Sequence, residues 1–153
     1  EESHIGLVIT GFISSLIGGL KFTGIGLILL TLILICVANI FCPNSIVKWS
    51  ILSATVVPLF MNASISPEFS QLVYLAGDSI TNGLTPLFMY FVIYIAFMEK
   101  YNKGDVVTLF GSIKTLVPYS MYSLLIWAIV LVGFYLIGIP IGIGSYPGVV
   151  YGA

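Results

Sequence analysis

The sequence predicts an all-α polytopic membrane protein whose apolar helices are interrupted by polar breaks. Three observations point there. Only 7% of the 153 residues are charged, against roughly a quarter in soluble domains. Mean hydropathy is +1.14, and ten Phe and nine Tyr add more apolar surface than a soluble fold of this size can bury. The few charges also leave long uncharged runs between them, such as that from Lys21 to Lys48, which is what bilayer-spanning segments need.

Taken in order, residues 5–20 form a short, Gly-rich apolar run, expected to be a tilted or truncated span. Residues 22–42 exceed the roughly 20 apolar positions a spanning helix needs and are expected to cross the membrane. The apolar run 49–62 is only 14 residues long. It follows Pro43-Asn44-Ser45 and contains Pro58, so a re-entrant or broken helix is expected rather than a span.

Ser66-Pro67-Glu68 has the pattern of a helix start, with an N-cap Ser, Pro at the first position and an acid in the positive first turn. The helix begun there soon meets Gly77, so residues 67–83 are expected to form a second re-entrant or broken segment. A span near 84–98 follows. In the stretch 104–114, Val106, Leu109, Phe110 and Ile113 recur at helical spacing beside Asp105 and Lys114, with Lys103 just before it, as in an interfacial helix. Residues 116–138 are again uncharged and long enough to span, with Trp127 as an interface anchor. Lys100, Lys103 and Lys114 place this connector in the cytoplasm by the positive-inside rule.

Composition excludes several functions. The net charge is −1 and the chain holds no Arg, so no basic face for nucleic acid exists. Cys36 and Cys42 match neither a redox pair nor a metal spacing and are expected to be free thiols. His4 has no second His to share a metal. No cofactor is expected beyond a coupling proton or sodium ion. The chain opens Glu1-Glu2-Ser3-His4 without a basic region before the first apolar run. No signal peptide is therefore expected, and the chain reads as a piece of something longer.

Candidate chemistry centres on Asp78. A carboxylate at membrane depth costs about 2.5–3.5 kcal/mol on insertion scales, so its default explanation is a functional site. A break at Gly77 and Gly83 would free backbone groups beside Ser79, Thr81, Asn82 and Thr85, which together could hold a small ion or polar substrate. A second interruption at residues 39–45 brings in Asn39 and Ser45. Transporters bind cargo where broken helices meet. Trp49, next to Lys48, is either an interface anchor or a surface for stacking a substrate.

These residues resemble the p-aminobenzoyl-glutamate transporter (AbgT) family. Gly77-Asp78-Ser79-Ile80-Thr81-Asn82, Thr85-Pro86-Leu87, Tyr90-Phe91 and Lys100-Tyr101 carry the resemblance. So do Asn39-Ile40-Phe41, Lys48-Trp49, Val57-Pro58, Ser66-Pro67-Glu68, Leu116-Val117-Pro118-Tyr119-Ser120 and Gly138-Ile139-Pro140-Ile141-Gly142, in order along nearly the whole chain.

The resemblance implies the C-terminal half of an inverted-repeat secondary transporter with broken helices and a re-entrant hairpin, the N-terminal half being absent from this chain. It also implies a homodimer in the bacterial cytoplasmic membrane. The implied cargo is p-aminobenzoyl-glutamate, a related small organic anion or a sulfonamide-type drug, moved by an antiporter coupled to a proton or ion gradient. Asn39, Trp49, Pro67, Asp78 and Asn82 match positions that matter in the family. Two positions depart from it. Leu75 stands where members commonly carry Arg, leaving Asp78 without that partner. Pro43-Asn44-Ser45-Ile46 replaces a tip that tends to read Gly-Ser-Ala-Ser.

Two other classes compete. An intramembrane aspartic protease would need Gly at position 75 and a second Asp to share acid and base roles; Leu75 fails the first, and the other Asp, Asp105, lies in the polar connector. A non-catalytic membrane subunit would use the polar breaks for packing alone.

Overall fold

The computed structural model describes residues 24–102 and 107–148. Five helices fill them: α1 (Gly24–Phe41), α2 (Ser45–Asn62), α3 (Pro67–Thr81), α4 (Met89–Tyr101) and α5 (Leu109–Ile137). The expected span 5–20 and residues 103–106 of the connector lie outside the described residues.

α1 coincides with most of the expected 22–42 segment. Its buried positions Leu27, Ile28, Thr31, Leu32, Ile35 and Asn39 recur at the 3.6-residue period and form one stripe. α2 differs from expectation. The helix starts at Ser45 instead of 49 and runs unbroken through Pro58 to Asn62, 18 residues in all. Two things extend it. Asn44 caps the start by accepting from Val47 N at 3.2 Å. Lys48, read from sequence as a boundary charge, is inside the helix and 4% exposed because its charge is paired. α2 is consequently one of three helices long and apolar enough to cross a membrane, with α1 and α5.

α3 starts as the sequence implies: Ser66 accepts from Phe69 N at 3.3 Å with Pro67 next in the chain. It does not break at Gly77, however, and continues through Asp78 to Thr81. Gly77 serves packing. A Cβ there would lie 2.9 Å from Ile35 Cβ and 3.1 Å from the Leu32 carbonyl, so the missing side chain lets α3 approach the α1 backbone.

The expected span 84–98 is displaced to Met89–Tyr101, a helix of 13 residues and so about 20 Å long. Pro86 disfavours helix at the residue before it, and 82–88 form turns instead. The connector helix 104–114 and the span 116–138 are not separate over the described residues. They merge into the 29-residue α5, capped by Thr108 and closed by Gly138 in the left-handed conformation.

Contacts define the arrangement. α1 and α3 run parallel, since Ile35 meets Gly77 while Ile40 meets Thr85 further along both. α2 runs back alongside α3 as the first arm of an α2–α3 hairpin. Its turn is closed by Ala63 N and Ile65 N donating to Phe60 O, with Ser64 at φ 58°. Ser66 N donates to Pro147 O at 2.8 Å, tying the segment after α5 to this turn. The core is Leu32 and Ile35 of α1, Leu52, Val56 and Phe60 of α2, Phe69, Val73, Tyr74 and Ile80 of α3, and Leu131 of α5. On α2 the four-residue spacing of Leu52, Val56 and Phe60 puts all three on one face. The outward faces of α4 and α5 stay apolar: Val92, Phe97, Phe110, Leu125, Ile126 and Ile129 are exposed, as lipid-facing surfaces are.

Candidate functional site

Parallel α1 and α3 end side by side, and α2 begins at the same level. Helix C-termini carry partial negative charge and N-termini partial positive charge. Two negative helix ends and one positive end therefore meet at one place, together with the unpaired carbonyls that every helix end leaves. In a membrane those carbonyls need protein partners, and polar side chains supply them. Asn39 Nδ2 donates to Asp78 O at 2.8 Å, Cys36 Sγ to Gly77 O at 3.4 Å, and Ser120 Oγ of α5 to Ile80 O at 3.0 Å. Across the gap, Thr81 Oγ1 donates to Cys36 O at 3.1 Å and Thr85 Oγ1 to Ile40 O at 3.0 Å.

At the centre is a buried ion pair. Lys48 Nζ donates to Asp78 Oδ1, to Asn39 Oδ1 and, at 3.2 Å, to Cys42 O, so its three protons have three oxygens. Asp78 Oδ2 accepts from Ser45 Oγ. Lys48 and Asp78 are 4% and 5% exposed. The sequence leaves open what stands in for the Arg absent at Leu75; in the structure the cation on Asp78 is Lys48, 30 positions earlier. The carboxylate faces the N-terminal turn of α2 and the ammonium faces the last carbonyls of α1, so each charge also meets the favourable end of a helix dipole.

Of the residues singled out from sequence, Asn39, Ser45, Asp78, Thr81 and Asn82 come together here, with Asn39 Nδ2 reaching Thr81 Oγ1 at 3.1 Å and Asn82 Oδ1 at 2.8 Å. Thr85 sits beside them, fully buried. Ser79 does not join: it is exposed and donates to Ala76 O of its own helix. Pro67 starts α3 at the far end, 11 residues from Asp78 and therefore about 16 Å away. Trp49 is one residue round the helix from Lys48 and packs on Tyr74, ring centroids 4.6 Å apart. The two rings, with Ser45, Ser50, Gln71 and Leu75, line a groove of about 300 Å³ between α2 and α3.

Two contributors were missed. Lys48 was legible only as a lone charge inside an otherwise apolar run, which is itself a signal of pairing. Tyr74, whose hydroxyl donates to Ser45 O at 2.6 Å and whose ring centroid lies 5.9 Å from Lys48 Nζ, left no signal apart from its spacing from Asp78. Cys36 and Cys42 are free thiols. Among the described residues no group of His, Cys, Asp and Glu assembles that could hold a metal.

Membrane-length apolar helices whose ends converge on a buried charged cluster define an integral membrane protein built to handle polar or ionic species. The chain belongs to the AbgT transporter family, whose match spans residues 1–149; this is a family of transporters and not of enzymes. It is 32% identical over 99 residues to the p-aminobenzoyl-glutamate transport protein of Escherichia coli (strain K12), covering 65% of this chain and 19% of that one. Its fold is similar to part of the Alcanivorax borkumensis YdaH transporter, with a TM-score of 0.76 and 34% identity, over 90% of this chain and 29% of that one. The chain therefore spans between a fifth and a third of the length of these relatives.

Proposed function

We propose that this chain is the C-terminal repeat of a secondary active transporter for a folate-related small anion, p-aminobenzoyl-glutamate or a close analogue, or a sulfonamide-type drug. Transport is coupled to a proton or sodium gradient at Asp78. The transporter works as a homodimer in the bacterial cytoplasmic membrane, and an N-terminal half completes each substrate path. α2 and α3 form the re-entrant hairpin. The observation that carries this reading is the buried charged cluster at the junction of three helix ends, where a carboxylate is held by an ammonium and a hydroxyl instead of being left to lipid.

The groove beside the cluster supports the choice of cargo. Trp49 and Tyr74 present faces on which an aromatic ring stacks, while Ser45, Ser50 and Gln71 offer hydrogen bonds to polar substituents. The Escherichia coli relative is a p-aminobenzoyl-glutamate transport protein, and its cargo carries an aminobenzoyl ring. Asp78 and Asn39 then act on the ion, Trp49 on the ring, and Asn82, Thr81 and Ser45 hold the geometry between them.

The test is uptake of labelled p-aminobenzoyl-glutamate by the full-length protein in proteoliposomes under an imposed gradient. Asp78→Asn is expected to abolish gradient-driven accumulation while protein level and membrane insertion stay as in wild type. Accumulation by this variant at the wild-type rate would remove Asp78 from coupling.

A further inference from the structure

The carboxylate assigned to the coupling cation is not open to it as the helices now stand. Oδ1 accepts from Lys48 and Oδ2 from Ser45. The ammonium in turn fills a cage of three oxygens, Asp78 Oδ1, Asn39 Oδ1 and Cys42 O. Oxygens from a carboxylate, an amide and a backbone carbonyl are also the donors that a hard cation selects. The oxygens that hold the Lys48 ammonium are thus a donor set of the kind a coupling cation needs.

Resting on the coupling role of Asp78, we propose that Lys48 is a built-in competitor for the coupling cation. It occupies the cation's place in one half of the cycle and is displaced from the carboxylate in the other. Ser45 and Lys48 are three residues apart, one helical turn, so both of their bonds fasten the first turn of α2 to the last turn of α3. When a proton neutralises Asp78, or sodium enters the oxygen cage, the charge that holds this latch is cancelled. The ammonium withdraws toward the C-terminal carbonyl of Cys42, and the start of α2 is released beside the groove lined by Trp49 and Tyr74. Cation binding is thereby linked to access for the substrate, and no cation binds without breaking the contact that keeps the hairpin closed.

Other groups facing the pair do not substitute for Lys48. From α1 come the Cys36 thiol, which donates to Gly77 O, and the neutral Asn39. The α1–α2 turn brings Cys42, and α3 brings the Tyr74 hydroxyl, committed to Ser45 O. α5 brings Ser120, which does not titrate. Lys48 is the cation that meets Asp78 among the described residues.

Removing the ammonium takes the competitor out of the oxygen cage, so the coupling cation is expected to fill it at a lower concentration. In proteoliposomes of the full-length protein, uptake of labelled p-aminobenzoyl-glutamate is measured over a pH series at fixed sodium and over a sodium series at fixed pH. Lys48→Gln is expected to lower the cation concentration at half-maximal uptake about tenfold, the loss of roughly 1.4 kcal/mol of competition, read in the proton series if protons couple and in the sodium series if sodium does. Lys48→Arg, which keeps the charge, is expected to return the profile toward wild type. A Lys48→Gln profile that overlays wild type in both series overturns the proposal.

A second measurement does not depend on the stability of Lys48 variants. In Asp78→Asn, which imitates the neutralised carboxylate, Lys48 is expected to react with an amine-acylating reagent from which the wild-type residue is protected. Equal protection in both proteins also overturns the proposal. Wild-type accumulation in Asp78→Asn is a different failure, since it strikes the coupling role of Asp78 on which this inference rests.

Discussion

Asn39 makes more contacts in the cluster than any other side chain there, and its value follows from an inventory of its atoms. Its carbonyl oxygen accepts from the Lys48 ammonium, and its amide group is shared among Asp78 O, Thr81 Oγ1 and Asn82 Oδ1. No water is at hand to replace these partners, because the residue is 0% exposed. Asn39→Leu keeps the volume but strands an ammonium proton and a helix-terminal carbonyl. Each buried group left unsatisfied costs about 1–3 kcal/mol, more when charged. The expected outcome is a loss of at least 2 kcal/mol, read as a lower melting temperature of the purified protein in detergent. Ser79→Ala is the control at the same helix end. Its hydroxyl is exposed and bonds only its own helix, so a change within about 0.5 kcal/mol is expected. Equal losses in the two variants would mean that the cluster does not hold the helix ends together.

At the scale of elements, the seam between α1 and α3 depends on Gly77. Because a Cβ at that position meets Ile35 carbons and a backbone oxygen of α1 rather than the flexible end of a side chain, the two helices would have to move apart. Overpacking of this kind costs about 1–3 kcal/mol, and it would also lengthen the bonds from Asn39 and Thr81 across the same seam. Gly77→Ala is expected to lower both melting temperature and transport, whereas Gly83→Ala, with nothing within 4 Å of a new Cβ, is expected to leave both near wild type. A tolerant Gly77 would show that the seam is looser than the structure has it.

The same element shows which parts of the fold could be read in advance. Ser66-Pro67-Glu68 announced the start of α3 because capping is local chemistry, completed within four residues. The continuation of α3 past Gly77 was not legible, since a glycine that frees the backbone and one that admits a neighbouring helix look identical in one chain. Lys48 was lost for a similar reason. In the sequence its charge marks a boundary, and only the long-range partner Asp78 makes it an interior residue of α2. Asn39, Thr81 and Asn82 could be nominated because polar residues are conspicuous at membrane depth, but Ser79 qualified on the same ground and faces elsewhere.

At the scale of the molecule, the described residues hold a hairpin, a helix packed along it and two flanking helices, and little of the surface of α4 or α5 is covered. α5 buries only Ser112, Ser120 and Leu131, and α4 only Phe91. The groove beside Trp49 is open along α2 and α3, where Leu75 is half exposed on its wall. A transport path has to be closed to one side of the membrane at a time, and a groove with an open wall cannot do that. If the transporter is an inverted repeat, the N-terminal half provides the second wall and a second hairpin against which this one moves.

Reconstitution of residues 1–153 alone is therefore expected to give no accumulation of p-aminobenzoyl-glutamate above protein-free vesicles, under the same imposed gradient used to assay the full-length protein. The fragment should still insert, since α1, α2 and α5 are each long and apolar enough to cross a bilayer. Robust uptake by the fragment would sink the inverted-repeat reading. It would instead require copies of this segment to enclose the path between them, placing several Lys48–Asp78 latches around one channel.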